Sequence, residues 1–586
     1  MKRMMTGNEA IAYGAYLAGV RVGSAYPGTP STEIMENFAK YPIYAEWAPN
    51  EKVSLDVGIG AAYAGTRALV SLKHVGLNVA ADSLFYAVYT GLRAGLVIAC
   101  ADDPFMHSSQ NEQDNRNYGK FAKLPILEPA DSEEAKQFTG LALDLSEQFD
   151  TPVILRSVTR ISHSASPVEV TDQTPPPPPE EPPLYQRDAL QFVMVPSNAR
   201  RRHPVVEERI KQLAAFAETF SHNRIERGDD SIGIITAGAV YQYAREVFPN
   251  ASFLKLGMVY PLPEKMIREF AASVKTLVVI EELDPFLEEN IRLMGIEVRG
   301  KDIFPMLGEF SPALVRRCAV AAGLIEGTGK EEAAASSAAP AVELPIRPPM
   351  LCPGCGHRAL FHVFRELGAL VLGDIGCYTL AFAPPISAMH TTGCMGAGIG
   401  QAHGIEKAGV QDKTIAVLGD STFMHSGIHP LINVLYNESK VTTVISDNRV
   451  TAMTGSQQHP GTGITLQQKQ TTEVVLEKLV EGMGFGKVDI IDPYDIENTT
   501  KVVEKHLNSG EPSVIIARRP CVIYTKERKT PPQVDKDLCV DCGTCLELGC
   551  SPLTQEDGYV SIDSILCNGC GVCIQVCPAE AIVAQE

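Results

Sequence analysis

The amino-acid sequence predicts an α/β protein of three doubly wound domains with a small cysteine-rich domain at its C-terminal end. Three observations predict it. Short, continuous apolar runs recur along most of the chain, separated by Ala- and Gly-rich helical stretches. Two stretches rich in proline or small residues divide those runs into groups. Eight of the 15 cysteines fall after residue 535.

The chain has 586 residues, a length that suits about four domains of roughly 150 residues. Apolar residues make up 45% and charged residues 21%, so cores of ordinary size can form. A net charge of −19 provides no electrostatic footprint for nucleic acid or an anionic membrane. No apolar run approaches the roughly 18 residues that cross a bilayer. The N-terminal stretch is broken by Gly7, Asn8 and Glu9 and lacks the apolar core of a signal peptide. A cytoplasmic protein is expected. Thiols there stay reduced, so grouped cysteines are metal ligands or catalysts before they are disulfides.

The first domain is expected over 1–171, where RALVSLKH, GLVIACADD and TPVILRSV read as strands and VGIGAAYAG as helix. A proline run, DQTPPPPPEEPPLY, makes 172–190 an extended spacer. The second domain, 191–325, carries the strands SIGIITAGA and KTLVVIEEL. The small, polar stretch 326–349 is a second linker. The third domain, 350–530, carries TIAVLGD and VTTVISDN. Apolar strands alternating with helices point to parallel sheets covered on both faces. A weaker break at KERKTPPQVDKD leads into the last domain, 535–586.

That last domain holds two runs. CNGCGVCIQVCP places Cys567, Cys570, Cys573 and Cys577 in the C-x2-C-x2-C-x3-C-P spacing of bacterial ferredoxins. CVDCGTCLELGCSP supplies Cys539, Cys542, Cys545 and Cys550, with a last gap one residue longer and a serine before the proline. In such tandem runs the fourth cysteine of each run reaches the other cluster. Cys539, Cys542, Cys545 and Cys577 are therefore expected to hold one [4Fe–4S] cluster, and Cys550, Cys567, Cys570 and Cys573 a second. The alternative is a pair of four-cysteine zinc sites. About 50 residues form too little core to stand without a metal. The domain resembles the two-cluster bacterial ferredoxins along its length, which implies one-electron transfer.

In the third domain one strand ends in Gly419-Asp420-Ser421 and the next in Asp447-Asn448. Oxygen ligands at the carboxyl edge of a parallel sheet sit where such folds bind ligands, and hard oxygens suit Mg2+ beside phosphates. The stretch resembles the thiamine diphosphate motif, with Ser421 where the motif has its second glycine. The resemblance implies Mg2+ on the side chains of Asp420 and Asn448 and the main-chain oxygen of Val450. On the residues alone these are also two ordinary strand ends with polar caps.

Thiamine diphosphate needs a carboxylate against its pyrimidine. Glu51 heads the small-residue helix NEKVSLDVGIGAAYAG, although a glutamate in a first turn is also what the helix dipole favours. AYPGTPSTEIM, the Glu51 segment, CPGCGH, GDIGCY and the terminal ferredoxin together resemble the 2-oxoacid:ferredoxin oxidoreductases over nearly the whole chain. The order of parts is similar to the large subunit of the indolepyruvate-type members. That resemblance implies two thiamine diphosphate-binding-type domains, a transketolase C-terminal-like domain between them, and a ferredoxin domain. It implies that Thr29 hydrogen-bonds the 2-oxoacid carboxylate, although YPGTP is also an ordinary turn. His74 and His425 are candidates for proton transfer near neutral pH, ahead of His107, His390, His429 and His459. Arg116 is a further candidate for the carboxylate.

The pair Cys352 and Cys355 could bind zinc, shuttle a disulfide or hold part of a cluster. In the family a Cys-x2-Cys, a Gly-Cys at a strand end and a later cysteine supply four ligands. Cys352, Cys355, Cys377 and Cys521 match those places, which implies a third [4Fe–4S] cluster near the thiamine. The reaction implied is oxidative decarboxylation of an arylpyruvate such as indolepyruvate. Coenzyme A takes the acyl group, and the electrons leave through the clusters to an external ferredoxin. A smaller β subunit and an (αβ)2 assembly come with the family, and neither nucleic acid nor membrane is a partner. The rivals are a non-oxidative thiamine-dependent decarboxylase or carboligase, another 2-oxoacid:ferredoxin oxidoreductase, and a non-catalytic electron-transfer subunit.

Overall fold

The computed structural model describes residues 1–171, 174–177, 187–327, 348–486 and 488–585. Most of the expected spacers over 172–190 and 326–349 lies outside the described residues. The chain divides into two compact units, 1–343 and 344–586. Among the described residues no helix is long and apolar enough to cross a membrane.

The first unit is built on a seven-stranded sheet in the order Met258–Tyr260, Ile126–Leu127, Val153–Val158, Leu96–Asp102, Ala68–Lys73, Val22–Ala25, Tyr44–Trp47. Its strands are parallel except Met258–Tyr260, which comes from the second segment and joins the edge antiparallel to Ile126–Leu127. Leu96–Asp102 shows why no alternation was visible. All seven of its residues are buried, because helices cover both faces. Val70, Leu72, Ile98 and Cys100 pack with Leu55, Ile59, Leu77 and Leu84 of the helices Glu51–Tyr63 and His74–Thr90. Leu69, Val97 and Ala99, which alternate with them, are buried as well. Helix ends follow local chemistry. Thr6 and Glu9 form a capping box at Gly7–Leu17, and Gly91 ends His74–Thr90.

The second segment adds a four-stranded sheet in the order Thr276–Val279, Asp229–Ala237, Ala251–Leu256, Arg224–Glu226. The first three are parallel and the last is an antiparallel edge. Leu254, Leu256, Val259 and Phe270 belong to the same core cluster as the first sheet.

The second unit holds a six-stranded, wholly parallel sheet in the order Thr391–Thr392, Leu370–Gly373, Thr414–Gly419, Thr442–Asp447, Ser513–Arg518, Val488–Ile491. Val371, Ile415, Val417, Val444 and Ile515 face Leu360, Phe361 and Val503 on one side. Leu372, Ala416, Leu418, Ile445 and Ile516 face Ile399, Leu431 and Val480 on the other. The C-terminal part is two short ribbons, Gln533–Val534 with Ile582–Val583 and Leu553–Glu556 with Tyr559–Ile562. Cys545, Leu553, Val560 and Ile582 form one small buried cluster, and Leu548 and Val572 pack with Ala359 in another. It is fastened to the rest of its unit by Arg358, which donates to the carbonyls of Leu548, at 2.8 Å, and Gly549.

Candidate active site

Each of the two main sheets reverses its winding at one point. From Val22–Ala25 the chain moves outward to Tyr44–Trp47, then crosses to Ala68–Lys73 on the other side. From Leu370–Gly373 it moves to Thr391–Thr392, then crosses to Thr414–Gly419. The crevice outside the carboxyl ends of such diverging strands is where open α/β sheets bind ligands.

In the first unit that crevice gathers the expected residues. Asn50 caps its helix by accepting the Val53 N–H at 2.9 Å, which makes Glu51 the first helical residue. Glu51 is not the exposed first-turn glutamate its position also allowed; it is 5% exposed. It packs on Gly76, where a Cβ would stand 2.7 Å from Oε1. The turn carrying Thr29 follows Val22–Ala25, and its Thr29 carbonyl accepts the Ser108 hydroxyl at 3.2 Å. Lys73 ends its strand with its stem flat on that turn, 3.1 Å from where a Cβ of Gly28 would be. Its Nζ donates to the Ser108 carbonyl at 3.1 Å. Burial pushes the Lys73 pKa down, against the carboxylates of Asp103 and Glu51. His74 follows, fully buried, with Nε2 3.1 Å from the Asn111 carbonyl oxygen and Nδ1 without a partner. Burial and then Lys73 hold its pKa below the usual histidine range.

Two expected residues lie elsewhere. Arg116 is no free clamp for a substrate carboxylate. Its Nε lies 2.9 and 3.0 Å from the two Asp114 oxygens. It also donates to Glu281 at 2.6 Å and to the carbonyls of Glu282 and Asp284 at 2.9 and 3.1 Å. A buried guanidinium is retained by such partners because an unpaired one would be costly. His107 stands at the surface, 3.1 Å from Glu309.

The crevice of the second unit is crowded with carboxylates. Asp374, Asp420 and Asp447 each stand at a strand end and are at most 2% exposed. Asp420 accepts the Ser421 N–H on one oxygen and the Arg449 N–H on the other, both at 2.8 Å. His459 Nε2 stands 3.1 Å from that second oxygen. Burial alone would raise the Asp420 pKa, yet His459 and these donors hold it below the usual carboxylate range. Burial and then Asp420 push Asp447 up to about 6, against the Arg518 guanidinium 2.6 Å away. Burial pushes Asp374 up to about 7, although it accepts from the Tyr378 hydroxyl and, at 2.7 Å, from the Gly396 N–H. Arg449 has a left-handed backbone, φ 63°. That turn brings its N–H to Asp420 and lets Asn448 accept the Val450 N–H at 3.2 Å. Asp420 and Ser421 at one strand end thus meet Asn448 and Val450 at the next, and Ser421 accepts the Thr451 hydroxyl at 2.8 Å. This hard-oxygen set suits a divalent cation carrying a diphosphate.

His425 is buried on one wide helical turn, Phe423–Gly427, with Nδ1 2.6 Å from the Ser426 hydroxyl; such turns recur at functional sites. His390 accepts the Val371 N–H at 3.0 Å, and His429 is exposed. Sequence reasoning missed Asp374, Asp447 and Lys73 as site residues and ranked His459 low. The first two had a signal: Gly373-Asp374 repeats the Gly419-Asp420 pattern after an apolar run, and Asp447 precedes Asn448.

The twelve candidate ligand cysteines fall around three cavities, four to each. One of about 560 Å3 is lined by Cys352, Cys355, Cys377 and Cys521, together with Ser446 and Asn448. One of about 480 Å3 is lined by Cys550, Cys567, Cys570 and Cys573, and Cys355 also reaches its wall. One of about 330 Å3 is lined by Cys539, Cys542, Cys545 and Cys577. Four thiols on one cavity wall are the ligand number of a [4Fe–4S] cube and of a four-cysteine zinc site alike, and the C-x2-C-x2-C spacing of the last domain is that of the cube. Burial and then the neighbouring thiols of Cys355, Cys521 and Cys352 push Cys377 up to about 12. Burial and then Cys570, Cys550, Cys567 and Cys545 push Cys573 to about 12. Metal binding at such thiols requires that they lose their protons. Gly354 lies between two of the cysteine loops, where a Cβ would meet the Asn568 side chain at 2.0 Å. His357 is buried, its Nδ1 3.2 Å from the Cys355 sulfur, and burial pushes its pKa down to about 4.

Comparison with known proteins finds three family matches along the chain. Residues 13–222 match the pyruvate flavodoxin/ferredoxin oxidoreductase, thiamine diphosphate-binding family. Residues 374–517 match the C-terminal binding domain of thiamine pyrophosphate enzymes, and 560–583 the 4Fe-4S binding domain. The indolepyruvate oxidoreductase subunit IorA of Archaeoglobus fulgidus is 41% identical, over 99% of this chain and 97% of the relative. That of Methanothermobacter thermautotrophicus is 38% identical over the same shares. The 2-oxoglutarate synthase subunit KorA of Archaeoglobus fulgidus is 25% identical over 52% of this chain and 95% of the relative. The cofactor domains expected from sequence are thus present in an α/β chain. At this identity over nearly full length, the chain belongs to the indolepyruvate oxidoreductase IorA family of thiamine diphosphate-dependent 2-oxoacid:ferredoxin oxidoreductases.

Proposed function

We propose that this chain is the catalytic subunit of an enzyme that oxidatively decarboxylates arylpyruvates, indolepyruvate among them, to aryl-acyl-CoA and CO2. One observation carries the oxidative part. The cavity lined by Cys352, Cys355, Cys377 and Cys521 is also lined by Asn448, the residue expected to hold the diphosphate cation. A cluster seat beside a thiamine seat is an electron exit, which a non-oxidative decarboxylase does not need. The exit continues within the same unit. Cys355 reaches the second cavity, and Cys573 of the second cavity feels Cys545 of the third.

Bound thiamine diphosphate supplies the nucleophilic carbon and the electron sink. In the second unit Asp420, Asn448 and the Val450 carbonyl would hold its Mg2+, with Gly419 and Ser421 shaping the turn. His459 and the Arg449 N–H keep Asp420 ionised for that task. In the first unit the buried Glu51 carboxylate would hydrogen-bond a pyrimidine nitrogen. Thr29 would hold a 2-oxoacid carboxylate, and His74 and His425 would move protons. Three [4Fe–4S] clusters would pass electrons to an external ferredoxin, with a smaller β subunit completing an (αβ)2 enzyme in the cytoplasm.

The test is acceptor dependence. Purified anaerobically with its partner subunit, the enzyme should reduce a viologen only when both an arylpyruvate and CoA are present. CoA-independent aldehyde release as the main activity would establish the non-oxidative reaction instead.

A further inference from the structure

The loop that follows Leu96–Asp102 is built unusually for a connection. Phe105 and Met106 are consecutive non-glycine residues with left-handed backbone, φ 67° and 54°. Such positions cost free energy and persist only where their surroundings hold them. The hold is visible. The Asp103 carboxylate accepts the Ser108 N–H at 2.8 Å, the Ser109 hydroxyl at 2.6 Å and the Thr159 hydroxyl at 2.7 Å. The Phe105 N–H donates to Glu112 at 2.7 Å. The result is a rigid tip that displays two large apolar side chains, Phe105 60% and Met106 43% exposed. The Phe105 ring meets the His107 ring edge-on at 5.8 Å.

The other end of the loop touches the crevice. Ser108 donates its hydroxyl to the Thr29 carbonyl and accepts Lys73 Nζ on its own carbonyl. Lys73 is partly buried, and among the described residues no carboxylate stands within ion-pair distance of it. Two of its three donors are therefore available. Arg116, the arginine expected for the substrate carboxylate, is consumed by Asp114 and Glu281.

From this geometry we infer that Lys73 receives the substrate carboxylate and that Phe105 and Met106 receive the aromatic side chain, so that a strand end and the loop bonded to it read the two ends of an aryl 2-oxoacid. The inference rests on the proposed 2-oxoacid reaction. A compact ammonium suits a carboxylate, and a phenyl ring beside a thioether suits an indole or phenyl group. Two other occupants are arms of the test. A phosphate of CoA could take Lys73, and the partner subunit could cover Phe105 and Met106.

The experiment uses the assembled enzyme with a viologen acceptor. Lys73→Met should raise KM for indolepyruvate and for pyruvate at least about tenfold, leave KM for CoA unchanged, and be partly rescued by Lys73→Arg. The double variant Phe105→Ala/Met106→Ala should lower kcat/KM for indolepyruvate about tenfold or more while leaving pyruvate oxidation and co-purification of the partner unchanged. Unchanged 2-oxoacid KM in Lys73→Met, or a rise confined to CoA, overturns the carboxylate assignment. Equal loss on both substrates, or loss of the partner, overturns the aryl assignment. Wild-type enzyme that oxidises no 2-oxoacid would instead defeat the reaction itself.

Discussion

The two crevices occupy the same place in their sheets and differ in charge. That of the first unit holds Glu51, a lysine and a histidine at the next strand end, and buried Asp102 and Asp103 at the one after. That of the second holds three buried aspartates on three neighbouring strand ends, two of them pushed well above their ordinary range. The same winding of six parallel strands thus carries different residues at its strand ends. In the proposed reaction the acid-rich edge takes the divalent cation and the phosphates it carries. In the same proposal the other edge offers Glu51 to a cofactor ring and Lys73, which donates to the Ser108 carbonyl, to an anion. Fold alone decides only where a site lies; the residue at each strand end decides what enters it.

The largest effect expected from breaking this contrast is at Asp420. Asp420→Ala should abolish turnover and Mg2+-dependent thiamine diphosphate binding, while the absorption of the C-terminal clusters stays intact. Measurable activity in that variant would move the cation elsewhere. Glu51→Gln should be smaller, a loss of about 10²–10⁴-fold in kcat, with cofactor and iron still bound. If kcat is unchanged there, Glu51 is a buried structural acid and the contrast between the crevices loses half its content.

The smallest effect lies away from both sites. Burial holds Glu282 in the first unit at about 7, from an ordinary 4.5, and its carboxyl accepts the Phe310 N–H at 2.6 Å. A raised carboxyl keeps its proton in the folded state after the unfolded chain has released it. Its contribution to stability is therefore complete below pH 4.5 and is lost as pH rises to about 7. The span is on the order of 3 kcal/mol. Glu282→Gln keeps an acceptor for Phe310 and should flatten that slope, so the first unit melts relatively higher at pH 8 than at pH 5. An unaltered slope in calorimetry would place the titration elsewhere.

Much of the fold was legible because its strands are buried on both faces and read as unbroken apolar runs, as in LVIACAD. The cysteine sets were legible because thiolate spacing around a cubane is set by local loop geometry. Other features were not. The strand Met258–Tyr260 is three residues long and takes its place only through its long-range partner Ile126–Leu127. Arg116 looked available because the sequence cannot show that Glu281, 165 residues away, would claim it. Asp374 stood in a quoted motif, GDIGCY, but only the sheet order places it beside Asp420's strand. Glu51 was ambiguous until its burial was known.

The central claim is that electrons enter beside Asn448, at the cavity lined by Cys352, Cys355, Cys377 and Cys521, and travel through two more clusters. The most direct measurement is iron content with electron paramagnetic resonance on the anaerobic complex, comparing wild type with Cys377→Ser. The account predicts about twelve iron atoms per chain in the wild type and about eight in the variant. The variant's C-terminal clusters should still be reducible by dithionite but no longer by arylpyruvate with CoA. About eight in the wild type, or a Cys377→Ser enzyme with unchanged iron and unchanged substrate-driven reduction, would contradict it.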